Sequence, residues 1–206
     1  MRSIPMRLIA LAALCFSLAG VQPALSAQVM TRTLKSKPAI VIAAFGTSTR
    51  AQVTYDVFEK QLKEAFPEYQ IRWAYTSEVI RQIVNKRWKA KGIDKTLLSL
   101  QQVLANLEAE GYTKVAVQPL HIFPGAEYEE VLAITDDFPG LSIETGETLL
   151  QRWEHVRAVV DVLSRDFLPD NEGANVLVAH GTPSTHVGSN ITLLGLDRYL
   201  SRRKSR

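Results

Sequence analysis

The sequence predicts an α/β protein built on a mainly parallel sheet flanked by helices. Short runs of small and branched apolar residues alternate with amphipathic stretches, and glycine, proline or a hydroxyl residue punctuates each boundary. Histidines and hydroxyl residues gather just after the apolar runs, and open α/β sheets bind ligands outside the carboxyl ends of their strands.

The elements follow in order. Pro38 opens the fold, Ala39 to Phe45 reads as a strand, and Gly46-Thr47-Ser48-Thr49 supplies a turn and N-cap residues for a helix over about 51–65. Gln70 to Tyr75 alternates as a second strand, and Thr76-Ser77-Glu78 caps a helix reaching Ala90. After Gly92 a helix is expected from Thr96 to Glu110, because Leu97, Leu100, Val103, Leu104 and Leu107 recur at helical spacing. Lys114 to His121 is a third strand, Pro124-Gly125 leads into a helix beginning near Glu127, and Leu141 to Thr145 is a fourth strand. This completes a first domain over residues 38–150.

Residues 151–206 then read as an incomplete second domain. A helix over about Gln151 to Phe167 leads to Asn175-Val176-Leu177-Val178-Ala179-His180-Gly181, a buried-strand pattern stopping at an imidazole, followed by a helix from about Val187 to Leu200. One strand and two helices bury no sheet of their own, so this strand needs the first sheet or another chain as a neighbour, which leaves a homo-oligomer open.

Ahead of the fold, two arginines, an apolar run of about 14 residues and a small-residue stretch to Ala27 have the layout of a cleavable secretory signal over residues 1–27. The run falls short of the roughly 20 residues that span a bilayer, so no stable membrane insertion is expected after cleavage. This places the mature chain in the periplasm, with residues 28–37 as a flexible lead-in. The only cysteine, Cys15, lies in that signal and follows Leu14, where a lipoprotein signal wants a small residue. Disulfides and thiolate metal sites are thereby excluded from the mature chain. Without Arg2 and Arg7 the 24 basic residues become 22 against 21 acidic ones, which excludes nucleic acid as a natural partner.

The loops after the strands carry the candidate chemistry. His180, at a strand end and followed by glycine, leaves room for a ligand, whereas the bland reading is a core histidine bonded to backbone. His186 suits a residue that orients a neighbouring ligand side chain or plain surface, and His155, in an amphipathic helix beside Trp153, reads as structural or exposed. His121 sits between Leu120 and Ile122, so packing competes with ligand binding, and Glu127 lies at a helix start that favours carboxylates through the helix dipole alone. Gly46, Thr47 and Ser48 could cradle an anion or simply cap a helix, and no Walker or dinucleotide-binding glycine pattern is present. Imidazoles with a carboxylate suit a borderline metal such as cobalt, iron, nickel or zinc, or proton transfer.

Together, Ala44-Phe45-Gly46-Thr47-Ser48, Gln118-Pro119-Leu120-His121-Ile122 with Gly125-Ala126-Glu127-Tyr128-Glu129, and Ala179-His180-Gly181-Thr182 with His186 resemble the anaerobic sirohydrochlorin cobaltochelatases, which are class II chelatases. The resemblance runs from about Pro38 to Leu200, and the signal is similar to that of the family's periplasmic type. It implies a chelatase-like fold of two similar α/β domains across a tetrapyrrole cleft. It also implies insertion of Co(II) into sirohydrochlorin with release of two protons, towards cobalamin. His180 matches the family's catalytic base and metal ligand, and Glu127 an acidic helper. Gly46, Thr47, Ser48 and His121 become candidate substrate-binding residues. Against that family the chain reads as C-terminally truncated, because a second active-site histidine and another acidic metal-binding residue would lie beyond Arg206. Fe(II) and Ni(II) are alternative metals. Other readings are a non-catalytic periplasmic binder of a tetrapyrrole such as haem or of a divalent metal, and an inactive truncated relic.

Overall fold

The computed structural model describes residues 33–169, 171–182 and 188–203. The expected signal, the start of the lead-in and His186 lie outside the described residues. The strands are β1 (Ala39–Ala44), β2 (Gln70–Tyr75), β3 (Lys114–Pro119) and β4 (Ser142–Thr145). The helices are α1 (Gln52–Ala65), α2 (Glu78–Ala90), α3 (Leu100–Ala109), α4 (Ala126–Asp136), α5 (Trp153–Leu163) and α6 (Gly188–Arg203).

The four strands form one sheet in the order β2-β1-β3-β4, and every pairing is parallel, as the alternation of strands and helices requires. In register, Ala39 stands beside Gln70 and Val115, and Ala43 beside Ala74 and Pro119. Ala39, Val41 and Ala43 of β1 and Val115 and Val117 of β3 share a core with Leu100, Val103, Leu104 and Leu107 of α3 and with Val131 and Ile134 of α4. The α3 leucines recur at helical spacing, so one stripe of that helix is buried almost completely. A second cluster joins Ala44, Tyr75, Val84 and Leu97 to Tyr55, Trp73, Ile80 and Trp88.

Local chemistry moves several boundaries. The helix expected from Thr96 begins at Leu100, because Ser99 forms a capping box: its hydroxyl accepts from Gln102 N–H at 3.3 Å while the Gln102 side chain accepts from Ser99 N–H at 2.9 Å. Leu97 is instead held in extended chain by Asn85, which accepts from its N–H (2.7 Å) and donates to its carbonyl (3.0 Å). The expected Thr-Ser-Thr cap of α1 is also absent. Thr47 and Thr49 hydroxyls bond each other at 2.9 Å and accept from Thr49 and Ala51 N–H within the loop, so the helix starts at Gln52 behind an uncapped Ala51. β3 stops at Pro119, which has no N–H to continue the ladder. α5 gives way after Leu163 to a 3-10 turn over Ser164–Asp166, short of Phe167.

The lead-in is less free than expected over its described part. Lys35 bridges to Tyr112, donates from its backbone to the Gly111 carbonyl at 2.9 Å, and places its ammonium 4.1 Å above the Tyr112 ring. Gly111 is required at that contact, since its φ is +95° and a Cβ there would lie 2.2 Å from the Thr33 carbonyl oxygen.

The expected buried strand before His180 is overturned. Residues 174–182 form no strand, and Val176 and Val178 are 78% and 91% exposed. The reason is the lack of a neighbour: backbone groups of a strand are satisfied only by a paired strand, and the described sheet ends at β4 without adding this segment. The segment is anchored at its start, where Asn175 pairs through both side-chain atoms with the backbone of Leu168, at 2.8 and 2.9 Å.

Leu104 is the most direct test of this core. With the side chain fully buried between α3 and the sheet, Leu104→Ala should cost about 2–5 kcal/mol, read as a lower denaturant midpoint with an unchanged slope.

Candidate functional site

The parallel sheet delivers the loops after its strands to one side. Each is tied back to a neighbouring strand: Thr76 N–H donates to the Ala44 carbonyl (2.8 Å), Leu120 N–H to Ala43 (2.8 Å) and Gly146 N–H to Val117 (2.8 Å). Outside the ends of β3 and β4 lies a cleft of about 770 Å³. Leu120, Ile122 and Leu149 give it apolar surface, and His121, Glu147, Arg152 and His155 supply its titratable groups. Glu147 and Arg152 meet in a two-point ion pair, the second contact being 2.6 Å from Nη2 to Oε1.

His121 is the most enclosed imidazole of the cleft. Its Nε2 lies 3.3 Å from the Thr76 hydroxyl, its carbonyl accepts from Leu149 N–H at 3.1 Å, and its Nδ1 is buried with no hydrogen-bond partner among the described residues. Burial holds its pKa below the ordinary 6.5, while the Glu127 carboxylate pulls the other way. Glu127 itself projects from the exposed first turn of α4, where the helix dipole favours a carboxylate.

His180 stands apart from this cleft. It is exposed, and its Nδ1 lies 2.8 Å from the carbonyl of Gly181, whose φ of +70° is the left-handed region glycine occupies readily. A carbonyl only accepts, so Nδ1 carries the proton, and in the neutral ring the lone pair is then on Nε2. Gly46, Thr47 and Ser48 are not among the residues lining this cleft. Gly46 has φ +94°, and a Cβ there would press to 3.1 Å on Ile80 and Tyr75. The Ser48 carbonyl accepts from Arg87 at 2.9 Å. The structure therefore brings together His121, Thr76 and the field of Glu127, and leaves His180 and the glycine turn outside that group. Among the described residues no cluster of three or more metal-ligating side chains forms.

Glu147 and Arg152 enter the cleft without having been singled out from the sequence, and the exposed His155 lines it as well. The signal was available for Glu147: Gly146-Glu147-Thr148 follows a fourth strand as His121 follows the third, and the same rule about strand ends applies to it.

The model of the cobalt chelatase (CbiK) family matches residues 38–201. The chain belongs to that family. It is 39% identical over 99 residues to sirohydrochlorin cobaltochelatase CbiKC of Nitratidesulfovibrio vulgaris, an alignment covering 48% of this chain and 33% of the relative. It is 34% identical over 98 residues to the sirohydrochlorin cobaltochelatase of Salmonella typhimurium, covering 47% of this chain and 35% of that protein. The aligned stretch thus spans about a third of the length of these curated relatives. The four-stranded parallel sheet with flanking helices is the α/β architecture expected of a chelatase-like domain.

The electrostatics of His121 are directly measurable. An NMR titration should place its midpoint below 6.5, and Glu127→Gln should lower it further by removing the charge that favours the imidazolium. In the pH range between that depressed midpoint and 6.5 the unfolded chain binds more protons than the folded one. Stability from this group is therefore complete above 6.5 and declines as pH falls through that range.

Proposed function

We propose that the chain acts as a sirohydrochlorin cobaltochelatase, inserting Co(II) into sirohydrochlorin with release of two protons. The observation that carries the reading is the cobalt chelatase family match over residues 38–201, which includes the His180, His121 and Glu127 motifs. The names of both relatives point to the same substrate and metal. The cleft supports it with apolar surface for a flat macrocycle and with the Arg152 guanidinium for a peripheral carboxylate.

His180 serves as base and metal ligand. Its Nδ1–H is engaged by the Gly181 carbonyl, so the Nε2 lone pair takes a pyrrole proton or binds the incoming cation. Glu127 is the acidic helper, its carboxylate offsetting the charge of the metal and favouring its approach. His121 forms part of the substrate wall, with Gly46, Thr47 and Ser48 as further substrate-binding residues on the loop after the adjacent strand. The leader-like layout of residues 1–27 supports a periplasmic setting for this activity.

The test is metallation of sirohydrochlorin by Co(II), followed by absorbance with the chain freed of residues 1–27. The parent should exceed the uncatalysed rate, and His180→Ala should lose roughly 10²–10⁴-fold, the usual share of a positioned acid or base. A parent no faster than the uncatalysed reaction removes the enzyme reading, and an unimpaired His180→Ala removes the assignment of the base.

A further inference from the structure

We propose that Thr76 is a positioning residue for His121, holding the imidazole in one orientation at the cleft as its Nε2–H tautomer. The link to catalysis rests on the chelatase reading above, whereas the tautomer and its cause do not.

The geometry begins with two rigid backbones. Thr76 is the residue after β2, where its N–H donates to Ala44 at 2.8 Å and its carbonyl accepts from Arg81 Nη1 at 2.9 Å, the same guanidinium group also reaching the Tyr75 carbonyl. His121 is fixed on the neighbouring loop by Leu120 N–H to Ala43 and by Leu149 N–H to its own carbonyl. The 3.3 Å separation between the Thr76 hydroxyl oxygen and His121 Nε2 therefore joins two atoms whose carriers are already set.

Either atom of that pair could donate, and the other ring nitrogen decides between them. Nδ1 is buried and has no partner among the described residues. A buried N–H without an acceptor is the rarer and costlier defect, whereas a bare lone pair is tolerated more readily. Nδ1 is accordingly the unprotonated nitrogen, and Nε2–H donates to the Thr76 oxygen. The imidazole χ2 torsion is broad by itself, so without this bond the ring has no polar contact in the described structure that selects one orientation.

Burial, rather than Thr76, disfavours the charged ring. A divalent cation entering the cleft would meet repulsion from an imidazolium, and a neutral ring removes that barrier. Thr76 and the carboxylate on α4 thus act separately: Glu127 attracts positive charge, and the bond to Thr76 fixes the orientation in which the enclosed imidazole meets the cleft.

Nitrogen-15 NMR of the substrate-free chain tests the tautomer without any chelatase assay. The parent should show a protonated-type Nε2 and an unprotonated-type Nδ1 for His121, with the Nε2–H protected from exchange. Thr76→Val should lose that protection, Thr76→Ser should keep it, and Thr76→Ala should repeat the valine result should valine impair folding. A parent with the proton on Nδ1, or a Thr76→Val and Thr76→Ala pair with full protection, overturns the proposal. In the metallation assay Thr76→Val should be slower by roughly two- to ten-fold, the scale of one lost hydrogen bond, with Thr76→Ser restored. A parent with the expected NMR pattern but no metallation refutes the chelatase reading while supporting the role of Thr76.

Discussion

Central placement of β1 is the constraint on which the rest of the structure depends. Ala39–Ala44 is paired on both sides, and its alternate residues are small enough for α3 to approach the sheet closely. The same strand then receives Thr76 and Leu120 through the carbonyls of Ala44 and Ala43, so the loops carrying Thr76 and His121 are registered against one backbone. Packing at the middle of the sheet and geometry at its edge are therefore one problem. Two side chains 45 residues apart in sequence meet because they follow strands on either side of the same neighbour.

Charge is distributed around that edge in a way that separates two kinds of histidine. His121 is enclosed and shifted towards neutrality by burial, with Glu127 opposing the shift. His180 is open to solvent with one nitrogen satisfied by its own neighbour's carbonyl. The first suits a wall and the second suits exchange of protons or ligands, although both sit in similar sequence contexts of apolar residues followed by a turn.

Much of the fold was readable from residues alone. The bounds of β2 and α2 follow from Gln70, Tyr75, Ser77 and Ala90 because alternation, a hydroxyl cap and helical spacing agree there. The start of α3 was less legible: Leu97 fits the helical spacing, and only the long-range clasp of Asn85 takes it out of the helix. Val176 to Ala179 has strand composition, but pairing is a tertiary property that composition does not contain. At the site, the strand-end rule found His121 and applies equally to Glu147, while the bond from His121 to Thr76 depends on strand order, which no local pattern reveals.

Asn175 to Ala179 has one more consequence, for how the molecule behaves in concentrated solution. Its uncharged β-branched residues are open to solvent and its backbone is free of a sheet, the properties by which identical segments template onto one another. The proposed base therefore sits directly after a stretch with the exposed apolar composition that favours self-association, so the same few side chains bear on colloidal stability and on the accessibility of His180.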